Sequence, residues 1–306
     1  KILAMVSSPN FDPNTVEEQW SWLTSEENTT QNMMNHATQG TYPPGSTFKL
    51  ITLLEYIREN PDTWQDFHYT CTGTYTNGDY VVNCHDGVAH GELDIYGILG
   101  MSCNGAFDTI AQTLNSTKWQ KLAEDFGYNQ SDRSQVDFPY KKSHFDIASD
   151  DSVWSRMQLA IGQGTTTVTP LLNLMIYAAI ANDGVMMTPY LVDHYLDADG
   201  NVVEQTKPKA LRSVCTKAEA ELMDEFLTYV ITNGTAAAGG SQYARVSGKT
   251  GSAQYDSTKN YHAWFCGYGT NDVSEIAVCV MIEKGGAGGI VAAPVAGQIF
   301  DYYFSR

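Results

Sequence analysis

The chain has 306 residues, 42% apolar and 17% charged, which excludes a disordered segment and allows a large core. Acidic residues outnumber Lys and Arg by 35 to 18, for a formal charge of −17, so a phosphate backbone is repelled and nucleic acid is not an expected partner. The most apolar long run, 170–181, is too short to span a bilayer and contains Asn173.

The chain opens on Lys1 in mid-pattern, with no signal peptide, and reads as a fragment whose targeting segment lies elsewhere. Residues 1–10 read as a strand ending at Ser8-Pro9-Asn10. Residues 11–45 are polar and turn-rich and close on Pro43-Pro44-Gly45, which can precede a helix but not continue one. From Ser46 to Ile57 the apolar residues Phe48, Leu50, Ile51, Leu53, Leu54 and Ile57 fall at helical spacing.

Asn77-Gly78, between Thr/Tyr and Val/Val runs, predicts a type I′ hairpin over 70–84. In that register Cys71 faces Cys84 at a non-hydrogen-bonded pair, close enough for a disulfide. A bridge there implies an oxidising, extracytoplasmic location. Two other readings stay open: reduced thiols, or a zinc site adding His85 or His90. No CxxC supports zinc, and no metal ligand or cofactor is assigned.

Helical patterns recur at 95–99, 105–114, 119–126, 153–161 and 170–181, the last starting at Pro170 and stopped by Gly184. Another covers 218–231, with Thr216 as N-cap and Glu219 at the capping-box position. After Gly234 three strands are predicted, at 243–254, 261–268 and 275–283. The last two form a hairpin around 269–273, and 291–303 reads as a closing helix. This order predicts an α/β (α+β) fold. Its antiparallel sheet is built from N- and C-terminal strands flanked by helices (about 1–50 and 210–306), with a mainly helical inserted subdomain (about 51–209).

Three short motifs carry chemistry. In Ser46-Thr47-Phe48-Lys49, a lysine one helical turn after a serine can reach its hydroxyl and act as base once its pKa is depressed. The helix start also aims N–H groups at a reacting carbonyl. Alone, such a pair is expected about once by chance in this length. Ser102-Cys103-Asn104 offers a hydroxyl to relay a proton and an amide to hold a peptide, although both residues could simply cap the next helix. Lys249-Thr250-Gly251-Ser252, on a predicted strand, combines a cation, two hydroxyls and a glycine that admits close approach, which suits a carboxylate and an edge-docked peptide. That tetrapeptide is expected roughly 0.01 times by chance. The three together, in this order, are the known signature of β-lactamases and penicillin-binding proteins.

The sequence resembles a class B penicillin-binding protein, transpeptidase domain, over nearly its whole length. The likeness is carried by Ala4–Pro9 with Phe11–Asn14, Tyr42–Lys49, Ile161–Gly164, Asn233–Ala236, Trp264-Phe265 and Ala292–Pro294, besides the motifs. The resemblance implies a peptidoglycan D,D-transpeptidase that forms an acyl-enzyme on Ser46 and is acylated there by β-lactam antibiotics. Lys49 would be the general base. Ser102 would pass protons, Asn104 would position substrate, and Lys249 would tune the site. Thr250 and Ser252 would hold the terminal carboxylate, Gly251 would belong to the same substrate-binding strand, and the N–H groups of Ser46 and Ser252 would form the oxyanion hole. Ser252 stands where the family usually has threonine.

The resemblance further implies an extracytoplasmic location, with the anchor and pedestal outside this chain. The expected partners are stem peptides, β-lactams and other cell-wall synthesis proteins. A D,D-carboxypeptidase would use the same groups with water as acceptor. A non-catalytic β-lactam-sensing receptor needs only Ser46 and Lys49, and a structural wall-binding protein would form no covalent adduct. A β-lactamase would need a base for deacylation, and no Glu-x-x-x-Asn candidate stands in the helical insertion.

Overall fold

The computed structural model describes residues 1–130, 136–148, 152–256, 258 and 260–306. Its main sheet has three antiparallel strands. Arg245–Gln254 lies at one edge and pairs with Tyr261–Thr270, which pairs with Glu275–Ile282. The central strand is buried at eight of ten positions, as helix-covered strands are. Helices Pro170–Ala181 and Gly288–Phe304 pack on the two strands nearer the C-terminus, and helix Lys217–Asn233 packs along the edge strand.

Helix Lys49–Glu59 is buried at eight of its eleven residues, Lys49 through Glu55 and Ile57. A helix buried on nearly every face sits inside the core. One contiguous hydrophobic cluster runs around it from Tyr42 to Phe304. This embedding fixes the helix start, and with it Ser46.

Most predicted helices form within a few residues of their expected limits: Ile95–Gly100, Asn104–Ala111, Ser116–Asp125, Val153–Ala160 and Pro170–Ala181. The capping box forms as read: Thr216 accepts from the Glu219 N–H, and the Glu219 carboxylate accepts from the Thr216 N–H.

Three expectations are corrected. Residues 1–10 form no strand, and among the described residues the main sheet is made of C-terminal strands alone. Leu3 and Val6 stay 59% and 82% exposed while Ile2 and Met5 are half-buried, and the Ile2 N–H donates to the Tyr190 carbonyl, outside any strand of the main sheet. Within 11–45, a helix forms at Val16–Leu23, where Glu17 and Glu18 favour the helix N-terminus.

The hairpin is also shifted. Thr74–Asn77 pairs with Tyr80–Asn83 in the register Asn77↔Tyr80, so the turn is Gly78-Asp79. Gly78 takes the first central position with φ of +59°, where glycine costs least. Upstream, the chain breaks at Gly73, φ +91°, and Cys71 belongs to a separate pair, His68–Cys71 with Gly91–Asp94. Cys71 therefore pairs with Gly91 and not with Cys84.

Candidate active site

Ser46 lies in a 3-10 turn, Gly45–Thr47, immediately before helix Lys49–Glu59. The turn is fixed from several sides. The Gly45 N–H donates to the Gly162 carbonyl at 2.9 Å. Trp264 Nε1 donates to the Pro43 carbonyl at 3.0 Å. Tyr177 donates to the Thr47 carbonyl and Asn173 to Thr47 Oγ1, both from helix Pro170–Ala181. Gly45 itself has φ of +56°, and a side chain there would strike Ala253. Ser46 is left half-buried at the floor of an open cleft of about 1310 Å³.

Lys49 is fully buried. Its ammonium donates to the Ser102 carbonyl at 2.7 Å, to Asn104 Oδ1 at 2.7 Å and to Ser102 Oγ at 3.3 Å. The sequence placed Lys49 on the face of Ser46. The structure adds that its nitrogen is tied to the second motif, and among the described residues no hydrogen bond joins it to Ser46 Oγ. Burial pulls the Lys49 pKa down to about 8, opposed by the negative potential of Cys103, Cys84 and Asp108. The Asn104 amide is fixed at both ends, since its Nδ2 donates to the Asn83 carbonyl at 2.8 Å. Ser102 is held at φ +54°, a region that non-glycine residues rarely occupy.

The third motif lies on the edge strand Arg245–Gln254, with no further strand beyond it among the described residues. Lys249 is fully buried, and its ammonium donates to the Thr250 carbonyl at 3.1 Å. Burial first, and then the charge of Lys49, push its pKa well below that of a free lysine. Gly251 sits against the turn that carries Ser46: a Cβ there would meet the Pro44 carbonyl oxygen at 2.9 Å. Ser252 Oγ accepts from the Gly288 N–H at 3.1 Å.

Ser46, Ser102, Asn104, Thr250 and Ser252 thus line one cleft, with Lys49 and Lys249 buried behind it. Two further residues belong here that the sequence reading did not select. Thr235 lines the same cleft, and its hydroxyl shares a 3.0 Å hydrogen bond with that of Thr250. Its only sequence signal is its place in Asn233–Ala236. Asp108 lies one turn after Asn104, fully buried, and its carboxyl has no hydrogen-bond partner among the described residues. Burial raises its pKa well above the usual carboxylate range, opposed by the positive charge of Lys49. Nothing in its spacing marked it out.

The expected Cys71–Cys84 bridge is not formed. The two sulfurs approach to 3.6 Å, far beyond a bond of ~2.05 Å, and all six cysteines are free.

The arrangement gathers a hydroxyl, two buried amines and a polar strand edge around one cleft, the layout of a serine acyl-transfer site. The chain matches the family described as penicillin binding protein transpeptidase domain over residues 1–301, and it belongs to that family. It is 27% identical to the peptidoglycan D,D-transpeptidase PbpA of Mycolicibacterium smegmatis, covering 96% of this chain and 63% of that protein. It is 28% identical to the peptidoglycan D,D-transpeptidase MrdA of Acinetobacter baumannii, covering 99% of this chain and 49% of that one. The chain therefore spans less than two thirds of these relatives, and about half of the second. Its fold matches penicillin-binding protein A of M. tuberculosis, solved as a ceftriaxone acyl-enzyme complex, with a TM-score of 0.86. Identity there is 26%, over 98% of this chain and 70% of that one. Among the described residues no helix is long and apolar enough to cross a membrane.

Proposed function

We propose that this chain is a serine D,D-transpeptidase that cross-links peptidoglycan stem peptides. The observation that carries the reading is the contact of buried Lys49 with Ser102 and Asn104, at the back of the cleft that Ser46 floors. Neutral Lys49 takes the proton of Ser46 Oγ as the oxygen attacks the carbonyl of the penultimate D-alanine. The carbon–nitrogen bond to the terminal D-alanine breaks, and Ser102 relays a proton to the departing amine. Thr250 and Ser252 grip the terminal carboxylate, while Lys249 sets the local potential. An amine from a neighbouring stem peptide then displaces Ser46 from the ester, and the serine hydroxyl is restored. A β-lactam acylates Ser46 by the same attack: its ring carbon–nitrogen bond breaks, the nitrogen takes the proton, and that amine stays tethered to the acyl group.

The names of the relatives support this reaction, and a peptidoglycan substrate supports an extracytoplasmic location. The test supplies a D-Ala-D-Ala stem peptide with and without a second peptide bearing a free amine, and analyses the products by mass. Release of D-alanine with formation of the joined peptide is expected. Release of D-alanine with hydrolysis alone, at saturating amine, would assign a carboxypeptidase instead.

A further inference from the structure

Four side chains with no part in this reaction converge behind the second motif. Cys71 ends the strand His68–Cys71, Cys84 follows the strand Tyr80–Asn83, His90 precedes the strand Gly91–Asp94, and Cys103 stands between Ser102 and Asn104. The three cysteines are buried and His90 is half-buried. Cys71 Sγ lies 3.6 Å from Cys84 Sγ and 3.3 Å from His90 Nδ1, and Cys84 Sγ lies 3.8 Å from Cys103 Sγ. All four atoms fall within 4.8 Å of one another. A tetrahedral zinc ion, with Zn–S near 2.3 Å and Zn–N near 2.0–2.1 Å, requires S···S edges of about 3.8 Å and S···N edges of about 3.5 Å.

The surroundings suit thiolates. The Gly73 N–H donates to Cys71 Sγ at 3.4 Å. The N–H groups of Asn104 and Gly105, at a helix start, bond to Cys84, and that of Ala106 bonds to Cys103. A disulfide would join only two of the sulfurs and would leave the histidine and the third cysteine unexplained.

We propose that Cys71, Cys84, His90 and Cys103 bind one zinc ion in a closed, structural site. Three sulfurs and a tetrahedral set favour zinc over harder divalent ions. Four protein ligands fill the coordination shell and leave no position for substrate. Binding forms three Zn–S bonds and one Zn–N bond, and the three thiol protons go to solvent. This revises both the expected disulfide and the absence of metal ligands in the sequence reading. No CxxC was needed, because four separate segments each bring one ligand. The ion ties those segments together at Cys103 and so holds Ser102, at its left-handed backbone angle, and Asn104 against Lys49. The site stands on its own geometry. Its effect on acylation rests on the roles proposed for Ser102 and Asn104.

The test uses the chain purified under thiol reductant without chelator. Elemental analysis should find about one zinc per chain, and His90→Ala should lose it. Cobalt replacement in the unmutated chain should give the charge-transfer and visible bands of a tetrahedral thiolate site. Zinc below a tenth of an equivalent with no cobalt bands would overturn the site, as would zinc undiminished in His90→Ala or a Cys71–Cys84 bridge found by peptide mass. Neither measurement depends on activity. Chelation should then slow penicillin acylation tenfold or more, leave reversible drug binding unchanged, and be reversed by added zinc. Acylation indifferent to chelation would overturn the positioning role.

Discussion

The two walls of the cleft are held by different means. Lys249–Ser252 rides on a ten-residue strand whose every residue has a partner on Tyr261–Thr270. Ser102–Asn104 sits among four-residue strands in separate two-stranded pairs, and Ser102 has φ of +54°. Two-stranded pairs are marginal alone, and a left-handed residue needs its surroundings to hold it. The proposed grip on a carboxylate is therefore built into a sheet. The proposed proton relay is held by side-chain ties, Lys49 to Ser102 and Asn104 and Asn104 to Asn83, with the cysteine cluster behind them.

The largest effect should come from disturbing the contact between the sheet wall and the nucleophile. In Gly251→Ala the new methyl meets the Pro44 carbonyl oxygen at 2.9 Å, with Thr47 and Trp264 also close. The strand and the turn cannot both keep their places. A shift of this size should lower the second-order rate of penicillin acylation about 10²-fold. A stopped-flow assay with a fluorescent penicillin reads this, and an unchanged rate would show that the contact is slack.

A smaller effect should come from titrating the relay wall. Lys49 has its pKa lowered to about 8 by burial, and as the proposed base it can accept the Ser46 proton only in its neutral form. Below that pH the ammonium predominates, so acylation should fall about tenfold per pH unit and level off above it. A rate that falls as pH rises through 8 would mean that the charged form is the reactive one.

The same contrast decided how much could be read in advance. The C-terminal strands and the long helices have strong local periodicity, so their positions and the Lys249 strand were legible. Helix Pro170–Ala181 even keeps its expected ends. The hairpin register was not legible, because Asn77-Gly78 and Gly78-Asp79 both offer plausible turns and the choice lies in tertiary contacts. Three motifs named the site residues, but sequence spacing could not show that Lys49 points its nitrogen at Ser102 and Asn104. Asp108 and Thr235 enter the site only through folding. The cysteine cluster is the same case: its members are unremarkable in the sequence and meet because four short segments cross.

The central claim is that Ser46 is the nucleophile of this cleft. Intact mass after incubation with penicillin should show one persistent adduct per chain, located by peptide mapping to the Tyr42–Lys49 segment, and no adduct in Ser46→Ala. An adduct of equal yield in Ser46→Ala, or one mapped to another segment, would contradict it.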